Sequence, residues 1–309
     1  MKKPELLVTP VTINDILPLS EAGADAFVVG EQRFGLRLAG EFNREDVQKA
    51  IELAHSKGKK VYVAMNGIFH NEKMAELGDY LQFAASAKAD AIIFGDPAVL
   101  MTARESAPEM KLHWSTETLG TNWFSCNYWG KKGAKRSVLA REINMDAIVE
   151  IKENTEVEIE VQVHGMSCMF QSKRSLLGNY FEYQGKVMEI ENRKTQKNMF
   201  LHDEERNNKY PVFEDANGTH IMSPNDICII DELQEMLEAG VDSFKIDGIL
   251  KSSEYILAVT KLYRKAIDLF FEDPDLYDEQ KDELLAAIEE IQPANRPLDT
   301  GFYFKETVY

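Results

Sequence analysis

Polar side chains recur at every second position in three short β-branched runs of this chain. They are His113, Ser115 and Glu117 in the first run, Glu160, Gln162 and His164 in the second, and Ser243, Lys245 and Asp247 in the third. Residues two apart share one face of a strand, so each trio is expected to point to one side, opposite apolar neighbours. A buried charge is costly unless it is paired or hydrated. The trios therefore predict either a wet polar site or a satisfied internal network, such as a Lys245–Asp247 ion pair.

Eight such runs alternate with amphipathic segments along the chain. They read ELLVTP, AFVVG, KVYVAMN, AIIFGD, KLHWSTET, RSVLARE, EIEVQVHG and DSFKIDG. Helical periodicity fills the gaps between the first seven, as in 43–58, where Asn43 is the predicted N-cap and Gly58 the predicted C-cap. This repetition predicts a (β/α)8 TIM-like barrel, with a doubly wound sheet as the alternative. No Gly-x-Gly-x-x-Gly follows the first run, which weakens that alternative.

The spacing of these runs predicts three regions of chain. Residues 1–165 and 242–271 form the barrel, residues 166–241 form a small inserted subdomain between strands 7 and 8, and residues 272–309 form an acidic helix and a C-terminal tail that packs on the barrel. The insertion is predicted because that connection is too long for an ordinary loop and contains strand-like segments. Barrel enzymes carry their sites at the C-terminal ends of the strands, so we expect the insertion and the polar trios to meet at that mouth.

Composition limits the classes of partner. A net charge of −17 argues against a broad electrostatic grip on nucleic acid. However, nine acidic residues and one lysine lie within 272–290, so the remaining chain could still carry a local basic patch. The N-terminus has no signal-length apolar stretch and no run of about 18 apolar residues occurs, which predicts a cytoplasmic protein with no membrane partner. Three cysteines without a Cys-x-x-Cys pair predict reduced thiols.

Self-contained catalytic motifs are absent from the sequence. It has no Gly-x-Ser-x-Gly elbow, no His-Glu-x-x-His zinc helix and no Gly-x-x-x-x-Gly-Lys-Ser/Thr phosphate loop. Cys168 and His164 could form a thiol nucleophile and its base, although they are only four residues apart on a turning segment. His164 stands at a strand end before a glycine, so it is either a functional histidine or a core histidine held by hydrogen bonds.

Blocks along most of the chain resemble peptidase family U32, the collagenase-like proteases. HGMSCMFQSKRSLLGNYF at 164–181 resembles the family signature, and the other blocks are AFVVGEQRFGLR at 26–37, STETLGTN at 115–122, GAKRSVLARE at 133–142, SPNDICIIDEL at 223–233, GVDSFKIDGILKS at 240–252 and NRPLDTGFYF at 295–304. The tail and the short length resemble members that act in prephenate-dependent formation of 5-hydroxyuridine at the tRNA wobble position. The resemblance thus implies tRNA as a partner and prephenate as a co-substrate, with a peptidase as the alternative.

Many U32 members hold an iron–sulfur cluster on four cysteines, and this sequence departs from that pattern. Cys168 and Cys228 match two of the four ligands, Ser175 stands in the place of another, and the cysteine-free VMEIENRKTQKNMF replaces the segment that should follow. Since stable cluster ligation requires four thiolates, we expect no cluster in this chain alone. The resemblance then implies either a paralogous U32 partner that completes the site, or a non-catalytic subunit that supports a cluster-bearing paralogue.

The inward faces and the family-like blocks together predict the site residues. The predicted catalytic residues are His164, Glu142 and Asp247, and the predicted substrate contacts are Arg141, Lys245, Lys251, Glu117 and Asn122. Arginine grips a carboxylate through two hydrogen bonds and lysine supplies a point charge, so these cations predict a small anionic metabolite. A basic and aromatic insertion could hold single-stranded RNA, or could be an ordinary solvated face. Its residues are Arg193, Lys194, Lys197, Arg206, Lys209, Tyr180, Tyr183, Tyr210 and Phe213.

Overall fold

A computed structural model of the protein describes residues 1–186 and 199–305. Its strands are β1 Glu5–Val8, β2 Ala26–Val29, β3 Lys60–Met65, β4 Ala91–Phe94, β5 Leu112–Trp114, β6 Ala134–Val138, β7 Glu158–Ser172, β8 Phe200–Asp203, β9 Asn208–Asp215, β10 Gly218–Cys228, β11 Ser243–Ile246 and β12 Leu298–Asp299. Strands β1 to β7 pair in parallel in chain order, and β11 pairs in parallel with both β1 and β7. The sheet therefore closes. The predicted (β/α)8 barrel is confirmed, and the doubly wound alternative is wrong.

Most of the helices connect the barrel strands on the outside, whereas one lies between β7 and β8 and the last directly follows another helix. They are α1 Ile16–Glu21, α2 Arg44–Ser56, α3 Met74–Ser86, α4 Pro97–Ser106, α5 Trp123–Lys131, α6 Met145–Asn154, α7 Leu176–Tyr183, α8 Gln234–Glu238, α9 Ser253–Glu272 and α10 Pro274–Ile291. The predicted N-cap of α2 is confirmed, because Asn43 Oδ1 accepts from the Asp46 amide at 3.0 Å. Its predicted C-cap is one residue late: Lys57 caps the helix, and Gly58 follows with a φ of 67°. No helix among the described residues is long and apolar enough to cross a membrane.

The two faces of the barrel strands differ as their alternation predicts. Ile159, Val161 and Val163 of β7 belong to the large buried cluster beneath the helices, as does Phe244 of β11. Inside the barrel, β1 to β4 and the loop after β2 contribute a smaller apolar cluster. Its members are Leu7, Ala26, Val28, Leu38, Tyr62, Ala64, Ala91 and Ile93. The polar trios come from β5, β7 and β11, so the polar side chains that point inward lie mainly in the other half of the barrel interior.

The end of the barrel where the strands begin holds a polar network whose charges are paired. Arg136 Nη1 donates to Glu5 Oε1 at 2.7 Å and to Glu160 Oε2 at 3.1 Å, and Ser243 Oγ donates to Glu5 Oε1 at 3.3 Å. Burial alone would raise the pKa of Glu5, but Arg136 outweighs it and lowers that pKa to about 2. A satisfied network, one of the two alternatives drawn from the polar trios, is therefore found at this end of the barrel. The Lys245–Asp247 ion pair predicted with that alternative also forms, at the opposite end.

The chain between β7 and β11 builds a cover over the mouth of the barrel. Strand β7 runs beyond the barrel wall and pairs with β10, which pairs with β9, all antiparallel. Met166, Phe213, Met222 and Ile249 form a small buried cluster that joins this sheet to the loop after β11. Residues 229–241, which the sequence assigned to the insertion, instead contribute Ile229, Ile230 and Leu233 to the main core of the barrel. Arg193, Lys194 and Lys197 lie outside the described residues.

The C-terminal segment folds back onto the mouth. Helix α10 packs along α9, and β12 then pairs in parallel with β10. Tyr303 is buried; its hydroxyl donates to the Gln162 carbonyl oxygen, and its own carbonyl accepts from the Met145 amide at 2.8 Å. The tail thus contacts β7 at Gln162, near the C-terminal ends of the barrel strands.

Candidate functional site at the barrel mouth

A cavity opens at the C-terminal ends of the barrel strands, where barrel enzymes carry their sites. Its polar lining includes Arg37 after β2, Glu117 after β5, Arg141 after β6, Gln162 in β7, Lys245 in β11 and Asp247 directly after it. Val28, Ala64 and Ile93 form part of its apolar wall. Four residues predicted from the sequence, Glu117, Arg141, Lys245 and Asp247, are therefore brought together.

Arg37 and Glu117 form the central ion pair of this cavity. Arg37 Nη2 donates to Glu117 Oε2, and Arg141 Nη1 lies 3.7 Å from the same oxygen. Burial by itself would raise the pKa of Glu117, but the charges of Arg37 and Arg141 outweigh it and lower that pKa to about 2. Both Arg37 and Glu117 have positive φ values, 48° and 67°. A non-glycine residue in this region costs about 1–3 kcal/mol, so the surrounding structure holds the pair in place against local strain.

Lys245 and Asp247 form the second ion pair. They lie two residues apart on β11 and its continuation, and Lys245 Nζ is 2.9 Å from Asp247 Oδ2. Asp247 Oδ1 also accepts from the Ile249 amide at 3.1 Å, which orients the carboxylate. Gly165 presses against this turn: a Cβ there would lie 2.3 Å from the Asp247 carbonyl oxygen. The glycine after His164 thus serves close packing of β7 against the Asp247 turn.

His164 does not line the mouth cavity. The pairing of β7 with β11 shifts between Lys245 and Ile246, and His164 is buried against α9. Its Nε2 lies 2.8 Å from the Tyr255 hydroxyl, and its Nδ1 lies 3.5 Å from the Tyr263 hydroxyl. Burial lowers its pKa to about 3, so the ring is neutral. The prediction that His164 shares an inward face with Gln162 is wrong, because the irregularity breaks the alternation of side chains.

The proposed thiol and base pair is not assembled. Cys168 Sγ faces the Phe170 carbonyl oxygen at 3.4 Å, whereas both ring nitrogens of His164 face tyrosine hydroxyls on α9. A general base must come within hydrogen-bond reach of the group that it deprotonates. The arrangement therefore offers no activated cysteine of the kind that a thiol peptidase uses.

Three further predicted residues also lie outside the cavity lining. Lys251 Nζ donates to the buried Asp226 carboxylate. Asn122 caps α5, since its Oδ1 accepts from the Ser125 amide at 2.8 Å. Glu142 is exposed in the loop after β6.

The sequence did not single out two residues that line the cavity. Gln162 was placed on the inward face without a role, and Arg37 lies in a loop where no periodicity applies.

The cysteines do not fit a four-thiolate cluster. Cys168 pairs in register with Met222, and Cys228 pairs with His164, so the two thiols are separated along the sheet by four residues, on the order of 13 Å. Burial raises the pKa of both thiols, that of Cys228 to about 11. Ser175 is exposed before α7. Across residues 1–186 and 199–305, no three His, Cys, Asp or Glu side chains are grouped to hold a metal ion.

The insertion presents aromatic rings, and a rim of cations adjoins the mouth. Tyr180 and Tyr183 are exposed, while Phe213 is buried and stacks on His220 with centroids 4.8 Å apart. Tyr210 is half-buried, and Arg206 and Lys209 are exposed. The rim cations are Arg33 after β2, Lys73 after β3 and Lys173 after β7. Burial lowers the pKa of Lys73, the nearby charges of Lys173 and Arg33 lower it further, and those of Glu76 and Glu72 act in the opposite direction. Arg33 is itself paired with Glu76.

Comparison with known sequences gives matches over nearly the whole chain. The model of peptidase family U32 matches residues 12–308. The tRNA hydroxylation protein P2 of Bacillus subtilis is 72% identical over 309 residues, which is 100% of both chains. The tRNA hydroxylation protein P1 of the same organism is 34% identical over 304 residues, covering 98% of this chain and 71% of that protein. A collagenase of Porphyromonas gingivalis is 28% identical over 320 residues, covering 97% and 73% of the two chains.

Solved structures give matches to the fold. The U32 peptidase Mk0906 aligns with a TM-score of 0.50 and 13% identity, covering 79% of this chain and 92% of that one. A dihydrodipicolinate synthase of Bacillus anthracis aligns with a TM-score of 0.51 and 8% identity, covering 93% of this chain and 82% of that one. At such identities the likeness extends to the fold alone, and that fold is the (β/α)8 barrel.

Proposed function

The chain belongs to peptidase family U32, and we propose that within this family it acts in the cytoplasm in the hydroxylation of tRNA, forming 5-hydroxyuridine at the wobble position. The observation that carries the proposal is the full-length likeness to a protein named for tRNA hydroxylation. The geometry supports a small-molecule step at the mouth and does not support a thiol peptidase, because His164 and Cys168 face different partners.

The co-substrate of this proposal is an anionic metabolite, prephenate, held in the mouth cavity. Arg141 is the cation least committed to protein partners, since it lies 3.7 Å from Glu117 while Arg37 bonds that carboxylate directly. A guanidinium can donate two parallel hydrogen bonds to a carboxylate, and Lys245 adds a second positive charge. Asp247 and Glu117 orient these cations before the ligand arrives.

The tRNA approaches the mouth face of the barrel. Tyr180 and Tyr183 expose rings on which unpaired bases can stack, a sequence-tolerant contact typical of single-stranded RNA binding. Lys73 and Lys173 supply charge for phosphates on the same side, in a protein that is otherwise strongly acidic. These cations would allow a local contact with RNA in a protein whose net charge is −17.

The first prediction is that deleting the gene for this chain removes 5-hydroxyuridine and its derivatives from tRNA, as measured by mass spectrometry of tRNA nucleosides. The deletion is repeated in a strain that also lacks its U32 paralogue, so that redundancy cannot hide the effect. A plasmid copy of the wild-type chain should restore the modification.

A copy carrying Lys73→Glu and Lys173→Glu should restore it poorly and bind tRNA about 10-fold more weakly, because two phosphate contacts become repulsive.

The matched control carries Lys57→Glu and Lys131→Glu. These exposed lysines lie at or just beyond the C-terminal ends of α2 and α5, at the opposite end of the barrel, and their reversal changes the net charge by the same amount. The control should restore the modification fully. Unchanged 5-hydroxyuridine in the double deletion would refute the proposed function, and equal loss in both charge variants would refute the mouth face as the tRNA surface.

The second prediction concerns the cofactor. We propose that this chain alone holds no iron–sulfur cluster, since two distant thiols cannot replace four thiolates, and that a paralogous U32 partner bears the cluster. The chain purified without oxygen should be colourless and free of iron, and Cys168→Ser should leave its unfolding free energy nearly unchanged. Stoichiometric iron and sulfide in the purified chain would overturn this.

A further inference from the structure

Helix α5 and the loop before it expose an apolar surface that carries no charge. Residues 118–130 contain no Asp, Glu, Lys or Arg, in a chain in which 28% of residues are charged. Four large side chains of this segment are nevertheless 62%, 36%, 72% and 53% exposed, in this order: Leu119, Trp123, Phe124 and Tyr128. Single exposed apolar side chains are normal, whereas a group of them marks an interaction surface. These four residues are called the α5 patch below.

The helix holds three members of the α5 patch on one side. Trp123, Phe124 and Tyr128 span an arc of about 140° around the helix axis, and Cys126 on the opposite side is buried. The ring centroids of Trp123 and Phe124 are 5.3 Å apart. Leu119 precedes them in a turn that is closed by the hydrogen bond from its amide to Thr116 Oγ1 at 3.0 Å. The patch is thus part of an ordered surface, which loses little entropy when it is covered.

The composition of the α5 patch favours a protein partner over a nucleic acid. Affinity for RNA comes largely from Lys and Arg that neutralise phosphates, and the first cations along this segment are Lys131 and Lys132, at the far end of α5. Lys132 Nζ lies 5.5 Å from the centre of the Tyr128 ring and marks the edge of the patch. The cores of protein–protein interfaces are depleted in charge and enriched in Trp, Tyr and Phe, as this patch is.

The area of the α5 patch suits the core of such an interface. An aromatic side chain presents about 150–250 Å² of surface, so the exposed parts of the four side chains amount to roughly 400 Å². A stable interface buries about 800 Å² on each partner, of which the outer part is a polar rim. Thr118 and Thr121 are exposed beside the patch and supply uncharged polar groups for that rim.

We propose that the α5 patch is the contact between two copies of this chain related by a two-fold axis. Each copy has a net charge of −17, so two copies repel each other across most of their surfaces. At a two-fold axis the same surface of both copies meets, and a charge near the axis would face its own like. An uncharged aromatic surface avoids this repulsion. A partner of different sequence would not require it, because opposite charges on two different chains can pair.

Sedimentation equilibrium of the purified full-length chain tests the inference. Wild type should have twice the 35.2 kDa mass of one chain. Phe124→Glu should raise the Kd of the dimer by about 100-fold or more, because the two-fold axis places the new charge in the interface twice. Phe124 lies in the first turn of α5, where a glutamate suits the helix dipole, so the variant should keep the circular dichroism spectrum of wild type. Leu119→Glu, in the loop, should weaken the dimer in the same way.

The matched control is Ile291→Glu, which adds the same charge at another exposed apolar position. Ile291 ends α10, which packs along α9 beside β1 and β11, on the other side of the barrel from α5. This variant should dimerise as wild type does.

Salt separates an apolar contact from an ionic one. Raising the NaCl concentration from about 50 mM to about 500 mM screens the repulsion between two acidic chains and should tighten the dimer. The inference fails if wild type stays monomeric up to about 100 μM, if Phe124→Glu leaves the dimer intact, or if salt dissociates it. It also fails if a monomeric wild type uses the α5 patch to bind tRNA or the U32 paralogue, with that binding lost in Phe124→Glu.

Discussion

Replacing Asp226 with alanine is expected to lower the free energy of unfolding by about 3–5 kcal/mol, the usual result of breaking a buried ion pair. Asp226 is fully buried in β10, where its carboxylate accepts from Lys251 Nζ, from Arg296 Nη2 and, at 2.7 Å, from Gln292 Nε2. The side chains of Lys251 and Arg296 are only 2% and 7% exposed. Without the carboxylate, two buried cations would be left facing each other.

The position of Asp226 explains why its replacement should weaken more than one ion pair. Its three partners come from the turn after β11 and from the segment after α10, so the carboxylate joins the insertion, the barrel and the tail. Burial would raise its pKa, but Lys251 and Arg296 outweigh burial and lower it. Because the pKa of Asp226 is lower in the folded than in the unfolded state, its stabilising effect is present at neutral pH and is lost as the pH falls through the acidic range.

The matched control is Asp278→Ala. Asp278 lies 2.7 Å from Lys281 on the surface of α10, with side-chain exposures of 61% and 32%. An exposed pair of this kind contributes about 0–1 kcal/mol, so this variant should unfold almost as wild type does in a urea titration. If Asp226→Ala and Asp278→Ala lower the free energy of unfolding by the same amount, the buried contacts of Asp226 do not hold the insertion, the barrel and the tail together.

Regular alternation explains which site residues the sequence could predict. Lys245 and Asp247 follow a strand with period two and line the mouth as predicted. Glu117 also lines the mouth, but its φ of 67° shows that the alternation of β5 ends before it. The eight barrel strands were also predictable, since short β-branched runs bounded by turn residues are typical of β-strands.

The residues that the sequence misplaced lie where that alternation stops. His164 follows the pairing irregularity between β7 and β11, and it faces α9 instead of the mouth. Lys251 follows Leu250, whose φ of 57° turns the chain toward Asp226. Arg37 lies in a loop, with a φ of 48°, and its partners are up to 183 positions away in the sequence. Local pattern carries no information about such long-range contacts, so neither its burial nor its pairing with Glu117 was foreseeable.

Arg37→Ala is expected to cause the second large effect, a loss of about 3–5 kcal/mol of unfolding free energy at neutral pH, because Glu117, whose side chain is only 19% exposed, would be left without its main partner. Arg37 also bonds Gln171 of β7 and lies 3.3 Å from His220 of β10, so its loss releases the cover from the barrel. Production of 5-hydroxyuridine should fall to background in a complemented deletion strain. Arg104→Ala, an exposed arginine in the last turn of α4 at the end of the barrel away from the mouth, serves as the control and should leave both stability and modification near wild type.

The cost of Arg37→Ala should also depend on pH in a way that identifies its cause. In wild type the pKa of Glu117 is about 2, below its ordinary value of 4.5, so its ion pair stabilises the fold above that value and the stabilisation is lost as the pH falls toward 2. In the variant, burial pushes the pKa of Glu117 upward, and protonation relieves the stranded charge. The difference in unfolding free energy between variant and wild type should therefore shrink as the pH falls from 7 to about 4.

A double-mutant cycle separates the ion pair from the anchoring of the cover. Glu117→Gln removes the stranded charge, so Arg37→Ala combined with Glu117→Gln should be more stable than Arg37→Ala alone and should lose the pH dependence. It should not recover 5-hydroxyuridine, because Gln171 and His220 still lack their contact with Arg37. Full recovery of modification in the double variant would mean that charge balance alone, and not the attachment of the cover to the barrel, is what Arg37 provides.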